Sequence, residues 1–305
     1  MAVKIHTTKS GITRRLKNAG IKKFAKPSLD KISVMIEIDD HVLSVDRTQK
    51  LLEQKAGELL KLGIDKIQIN KVLETTQEVA DERDYLTRLF KNTCGESWNN
   101  KSKWNSAAAL ENWWRVFMND FDEIIDGKLL LKTRRVVKIE LVNNYLHGNA
   151  SAHASGKMPD DIEKLKYLEE LYLQYNFLSN SLPSTLGNLR KLKYLHLEFN
   201  QIMGALPHLD NMDSLEELYL DHNRLEDSII ELTKLKKLKK CHIYHNKFSG
   251  KVPEELADKK DLTEFKFYNN YMQIGSKVQA RIKSDPGWQG RTDSERPAHI
   301  VYELL

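Results

Sequence analysis

From Val136 onward asparagine returns with a regular period, at Asn144, Asn176, Asn200, Asn223, Asn246 and Asn270, with spacings of 32, 24, 23, 23 and 24 residues. One frame surrounds each of them, as in Leu168-Glu-Glu-Leu171-Tyr-Leu173-Gln-Tyr-Asn176-Phe-Leu178 and Leu192-Lys-Tyr-Leu195-His-Leu197-Glu-Phe-Asn200-Gln-Ile202. A period of this length marks a solenoid, whose units bury their apolar faces only against their neighbours.

Within the frame, alternating leucines such as Leu195 and Leu197 predict a short strand with one buried face, and stacked coils join such strands into a parallel sheet. Where the chain turns inward from the strand, buried backbone groups need partners. An asparagine side chain both donates and accepts, so one per coil can serve them. The six asparagines are therefore expected to be structural rather than ligand-binding.

These frames resemble the leucine-rich-repeat family, in particular the subclass known from plant receptor-like proteins, with its Leu-x-Gly-x-Leu/Ile-Pro segment. Here that segment reads Ile202-Met-Gly204-Ala-Leu206-Pro207 and Phe248-Ser-Gly250-Lys-Val252-Pro253, and Asn180 replaces the glycine before Leu182-Pro183. Glycine, asparagine or aspartate (Asp227 in the fourth repeat) suits a corner that needs a left-handed backbone. Pro159, Pro183, Pro207 and Pro253 share one repeat position, which Ile230 takes in the fourth repeat.

The resemblance implies an α/β solenoid, a leucine-rich-repeat horseshoe of about six coils with a helical N-terminal cap and a helical extension. Tyr85 to Phe90, Trp98, Trp104 and Trp113-Trp114 look like that cap. Extracellular relatives staple it with a cysteine pair. Here Cys94 and Cys241 stand far apart, which is expected of free thiols in a reducing compartment.

Elsewhere the rhythm changes. Residues 44 to 92 keep a helical period, with Gly63 separating two helices, and Ile32, Val34, Ile36 and Ile38 alternate as a short strand. The expected segments are a basic extended arm (1–27), a small, mainly helical extension (28–80), the N-terminal cap (81–135), the repeats (136–273), and a C-terminal cap and tail (274–305). Asn149 to Lys157, rich in small residues, is expected to be a flexible loop lengthening the first repeat.

The chain carries no phosphate loop, nucleophile elbow, metalloprotease helix or dinucleotide fingerprint. It is therefore read as non-catalytic, with no cofactor and no metal. The nearest approach to a metal set is His222, His242 and His245 on adjacent coils, for which a polar binding face is the preferred account. Solvent-facing strand positions carry the functional signal: Tyr172, Tyr175, Tyr194, His196, Phe199, Tyr219, His222, His242, Tyr244, His245 and Tyr268. Aromatic side chains bury much area with little rotamer loss, so this concave face is expected to bind protein. Glu169, Glu170, Glu198, Glu216, Glu217 and Asp221 among them favour a partner with basic or amide-rich segments.

The net charge of +5 is unevenly spread: residues 1 to 28 hold eight Lys or Arg and no acid, leaving the rest slightly acidic. In this arm Arg14, Arg15, Lys17, Lys22 and Lys23 alternate with Leu16 and Phe24, a combination suited to an acidic protein groove, an anionic membrane or RNA, of which the groove is the preferred expectation. Such an arm also has the composition of a mitochondrial transit peptide. No apolar run reaches a transmembrane span, and the expected location is cytoplasmic. The leading expectation is a scaffold or structural subunit of a large intracellular assembly, with tubulin in a ciliary or flagellar microtubule as one acidic partner that suits it. The alternatives are a soluble recognition module in signalling or ubiquitin ligation, and a ribosome-associated subunit whose arm touches RNA; nucleic acid is otherwise not an expected partner.

Overall fold

The computed structural model describes residues 3–6, 34–38, 45–126, 129–149 and 154–290. The chain divides into two compact units, residues 1–87 with 101–138, and residues 88–100 with 139–305. Each is therefore built from two stretches of chain.

In the first unit the elements are β1 (Val3–His6), β2 (Val34–Ile38), α1 (Val45–Lys61), α2 (Lys66–Asn92), β3 (Val116–Ile125) and β4 (Leu129–Glu140). Gly63, at φ 80°, makes the turn between the helices. Asp65 then caps α2 by accepting from the backbone of Ile67 (2.8 Å) and Gln68 (3.2 Å), while the Gln68 side chain accepts from the Asp65 N–H (2.8 Å). β2 lies parallel to β4, with Val34 opposite Leu129 and Ile38 opposite Thr133, and antiparallel to β1. Val34, Ile36 and Ile38 of β2 pack with Leu52 and Leu59 of α1, Val72 and Val79 of α2, and Leu129 and Leu131 of β4.

Sequence reasoning found the two helices and β2 but treated residues 81–135 as helical cap. The helix ends at Asn92, and β3 pairs with β4 instead. Arg135 explains why β4 was not seen. It sits fully buried in the strand, donating from Nε to Glu82 (2.7 Å) and from a terminal nitrogen to Glu78 (3.0 Å), while the Val136 N–H donates to Glu82 (3.1 Å). A paired buried charge breaks the apolar pattern by which strands are recognised. The arm residues Arg14, Arg15, Leu16, Lys17, Lys22, Lys23 and Phe24 lie outside the described residues.

The second unit is the solenoid. Its inner strands are β7 (Glu170–Tyr172), β9 (Tyr194–His196), β11 (Glu217–Tyr219), β13 (Lys240–His242), β15 (Glu264–Lys266) and β17 (Trp288–Gln289), each parallel to the next. A second parallel ladder runs beside them: β8 (Ser179–Asn180), β10 (Gln201–Gly204), β12 (Arg224–Asp227), β14 (Lys247–Lys251) and β16 (Tyr271–Gln273). The corner residues of this second ladder, Asn180, Gly204, Asp227 and Gly250, have φ of 65°, 81°, 65° and 78°. Between coils the leucines are almost wholly buried, among them Leu171, Leu195, Leu197 and Leu218.

At the start of this unit the Trp98 indole donates to the Thr93 carbonyl (2.8 Å), and the Asn100 N–H donates to the Asn144 side chain (2.7 Å). In the first repeat β5 (Gly148–Asn149) and β6 (Ala154–Ser155) form a small antiparallel ladder where a loop was expected. At the far end α3 (Ser276–Ser284) leads to Trp288, buried on the last coil with its indole donating to Leu262 O (2.9 Å).

Candidate partner-binding face

The strand and the turn after it set every side chain on the concave face. In each coil the asparagine is held by the neighbouring coil: Asn200 donates to Leu173 O (3.0 Å) and Leu197 O (3.1 Å) and accepts from the Leu178 N–H (2.9 Å). Asn144, Asn176, Asn223, Asn246 and Asn270 bond to the backbone in the same manner. To bring the asparagine inward, the residue before it adopts a left-handed backbone: Tyr175 at φ 57°, Phe199 at 54°, His222 at 52° and His245 at 51°. For bulky residues this conformation costs on the order of 1–3 kcal/mol each.

The rings so placed form a row across four coils. Tyr175 stacks on Phe199 with centroids 4.6 Å apart and planes at 11°, Phe199 on His222 at 4.0 Å and 12°, and His222 on His245 at 4.5 Å and 28°. Three residues earlier in each coil runs a second row: Tyr172 meets His196 edge-on at 4.9 Å, His196 stacks on Tyr219 at 4.3 Å, and Tyr219 on His242 at 4.2 Å. Tyr244 and Tyr268 stack at 4.6 Å between the rows, whereas Tyr194 stands in the strand-start column and joins neither. The sequence read these positions as solvent-facing; there the structure packs ring on ring, because parallel strands repeat at nearly the spacing of stacked aromatics. Tyr175 and Phe199 remain half and about a third exposed, at 50% and 37%.

Neighbouring groups fix the protonation of the rings. Burial pushes the His196 and His242 pKa values down, against the opposing pull of Glu217 and Glu264 respectively, so both imidazoles favour the neutral form. His242 Nε2 lies 2.9 Å from Glu264, and His222 Nδ1 2.9 Å from Asp221. His222, His242 and His245 thus stack in two different rows, with ring nitrogens engaged by carboxylates or by Asn269, rather than converging on one point. Burial, with nearby carboxylates, holds the Tyr172, Tyr219 and Tyr244 hydroxyls protonated well above their ordinary range. The Glu198 carboxyl is pushed up to about 7, by burial first and then by Asp221.

Two further places came from the structure alone. His208, Asp210 and Glu231 bring ligand-type atoms within 4.8 Å of one another, but Lys234 Nζ already pairs with Asp210 (2.8 Å) and Glu231 (3.2 Å). Beside the first coils a cavity of about 760 Å³ is lined by the exposed rings of Tyr145 and Phe177 together with His147 and Gln201. No described helix is long and apolar enough to cross a membrane.

Residues 145–277 match the leucine-rich repeat region family. Among solved structures, the leucine-rich-repeat ectodomain of the receptor kinase SOBIR1 from Arabidopsis thaliana is 23% identical, with a TM-score of 0.53, over 64% of this chain and 96% of that one. The PEPR1–AtPEP1 complex is 27% identical, with a TM-score of 0.49, over 63% of this chain and a quarter (25%) of that one. The BIR3–SERK2 complex of Arabidopsis thaliana is 25% identical, with a TM-score of 0.46, over 64% and 96%. No curated protein matches the chain.

Proposed function

Because residues 145–277 are a leucine-rich-repeat region resembling those of plant receptor ectodomains, a fold of protein-interaction modules, we propose that this chain is a non-catalytic binding module whose concave face grips a protein partner. The observation that carries the reading is the pair of ring rows, one of them held in left-handed backbone. Strained aromatic positions repeated coil after coil are costly to the fold alone, and aromatic surfaces of this kind are where interface energy concentrates.

The test is capture of partners from native extract, read by cross-linking and mass spectrometry, with the Tyr175→Ser, Phe199→Ser and Tyr219→Ser variant beside the parent. Truncated interface aromatics often cost ~2 kcal/mol or more each, so capture should fall well over tenfold. A cooperative melt of the variant shows that the solenoid is still folded. Capture at the parental level would move the interface off this face.

A finer placement follows from the acid-free segment 1–28, which supports a structural subunit seated on an acidic lattice such as tubulin in a cilium or flagellum. The buried Cys94 and Cys241, which form no disulfide, support a reducing compartment for it.

A further inference from the structure

At the centre of the concave face three buried polar atoms have no hydrogen-bond partner: Gln174 Oε1, His196 Nε2 and Glu198 Oε2. His196 Nε2 lies 3.5 Å from Glu217, long for a hydrogen bond. Gln174, Glu198 and Asp221 follow one another in a single column. The residues after them bond in step, Tyr175 N–H to Glu198 O (3.0 Å) and Phe199 N–H to Asp221 O (3.0 Å). Elsewhere on the sheet carboxylates are neutralised by lysines of the next coil: Glu169 by Lys193 (2.6 Å), Glu216 by Lys239 (2.7 Å) and Glu217 by Lys240 (3.0 Å). The inner column, Gln174, Glu198, Asp221, Tyr244 and Tyr268, contains no lysine or arginine.

We propose that this column is the seat of an arginine side chain presented by the partner, an inference that rests on the concave-face reading above. The unpaired Gln174 and Glu198 atoms are acceptors on adjacent coils, and Asp221 on the next, already bonded to His222 and Tyr244, adds its negative charge. Parallel strands set neighbouring coils ~4.8 Å apart. A guanidinium, planar and with five N–H donors in a fixed fork, reaches acceptors spread over two coils, which a compact ammonium does less well. The ring rows on either side wall the column from water and so strengthen charge-assisted hydrogen bonds there. Glu198 faces Asp221, Tyr219 and Tyr244, with His222 beyond Asp221. A cation in the column counters the Asp221 charge and stabilises the ionised Glu198 carboxylate, so binding favours release of its proton.

The experiment titrates Nα-acetyl-arginine amide into the full chain and follows the imidazole NMR signals of His196 and His222. The neutral isostere Nα-acetyl-citrulline amide, Nα-acetyl-lysine amide and the acidic Nα-acetyl-glutamate amide serve as comparison probes. Arginine should give saturable shifts, citrulline binding at least tenfold weaker, and lysine binding between the two. Glu198→Gln should weaken arginine at least tenfold, and Gln174→Leu at least threefold, so that the inference stays testable if one variant fails to fold. His208→Ala, outside the face, should bind as the parent does. Equal binding of arginine and citrulline, unaltered arginine binding in both folded variants, or a preference for glutamate would overturn it. If the ring variant loses partner capture while arginine does not bind, the face is an interface but its seat is not cationic. Undiminished capture by the ring variant instead removes the face itself.

Discussion

A single asparagine side chain carries four backbone contacts at Asn200, as at Asn223, Asn246 and Asn270. With Asn200 truncated, the buried Leu178 N–H loses its partner, and the Leu173 and Leu197 carbonyls, which also accept from Asn176 and Asn223, each lose one of two donors. Asn200→Ala should therefore destabilise the solenoid by ~1–3 kcal/mol, read as a lower urea midpoint. Glu198 makes a different prediction. Its folded pKa, about 7, lies above the ordinary 4.5, so the fold favours the protonated carboxyl. That stabilisation is complete below about pH 4.5 and is lost as pH rises through 7. Glu198→Gln, which stays neutral, should abolish this loss. Melting temperatures of parent and variant across that range should diverge in the variant's favour as pH rises, and parallel curves would refute the assignment.

At the level of elements, the repeat was legible because its signals are local. The leucine alternation gave the inner strands, and Gly204, Gly250, Asn180 and Asp227 gave the left-handed corners. The left-handed backbone at Tyr175, Phe199, His222 and His245 was not legible, since no residue type there advertises it. The individual rings could be read from the sequence, but their joining into rows depends on register between coils, which a linear pattern does not contain. β4 escaped for the reason already met, the buried Arg135 in its middle. Its pairing with Glu82 sets a test: Arg135→Met leaves a buried carboxylate unpaired and should cost ~3–5 kcal/mol in chemical denaturation. Adding Glu82→Leu should recover much of that loss, because replacing both charges removes the orphan. Burial already holds the Glu82 carboxyl up to about 7 despite Arg135, which shows how large the desolvation it opposes is.

Over the whole molecule, charge and rings divide the work: the first residues are basic and acid-free, while the concave face of the repeats is acidic and aromatic. If the first residues anchor the protein to an acidic lattice, then Arg14→Glu, Arg15→Glu and Lys17→Glu together should release it from its assembly at low salt, where screening is weak. Retention equal to the parent in a salt-graded pelleting assay would favour the free recognition module. The ring rows carry one more consequence, of phase. They advance one coil per step, ~4.8 Å, while an extended peptide advances ~3.4 Å per residue, so three coils and four residues cover nearly the same ~14 Å. A chain laid along the rows drifts out of step with them and returns at every fourth residue. The face is thus a vernier: a partner whose key side chains recur at i and i+4 meets equivalent sites twice, and one with a period of two or three meets them once.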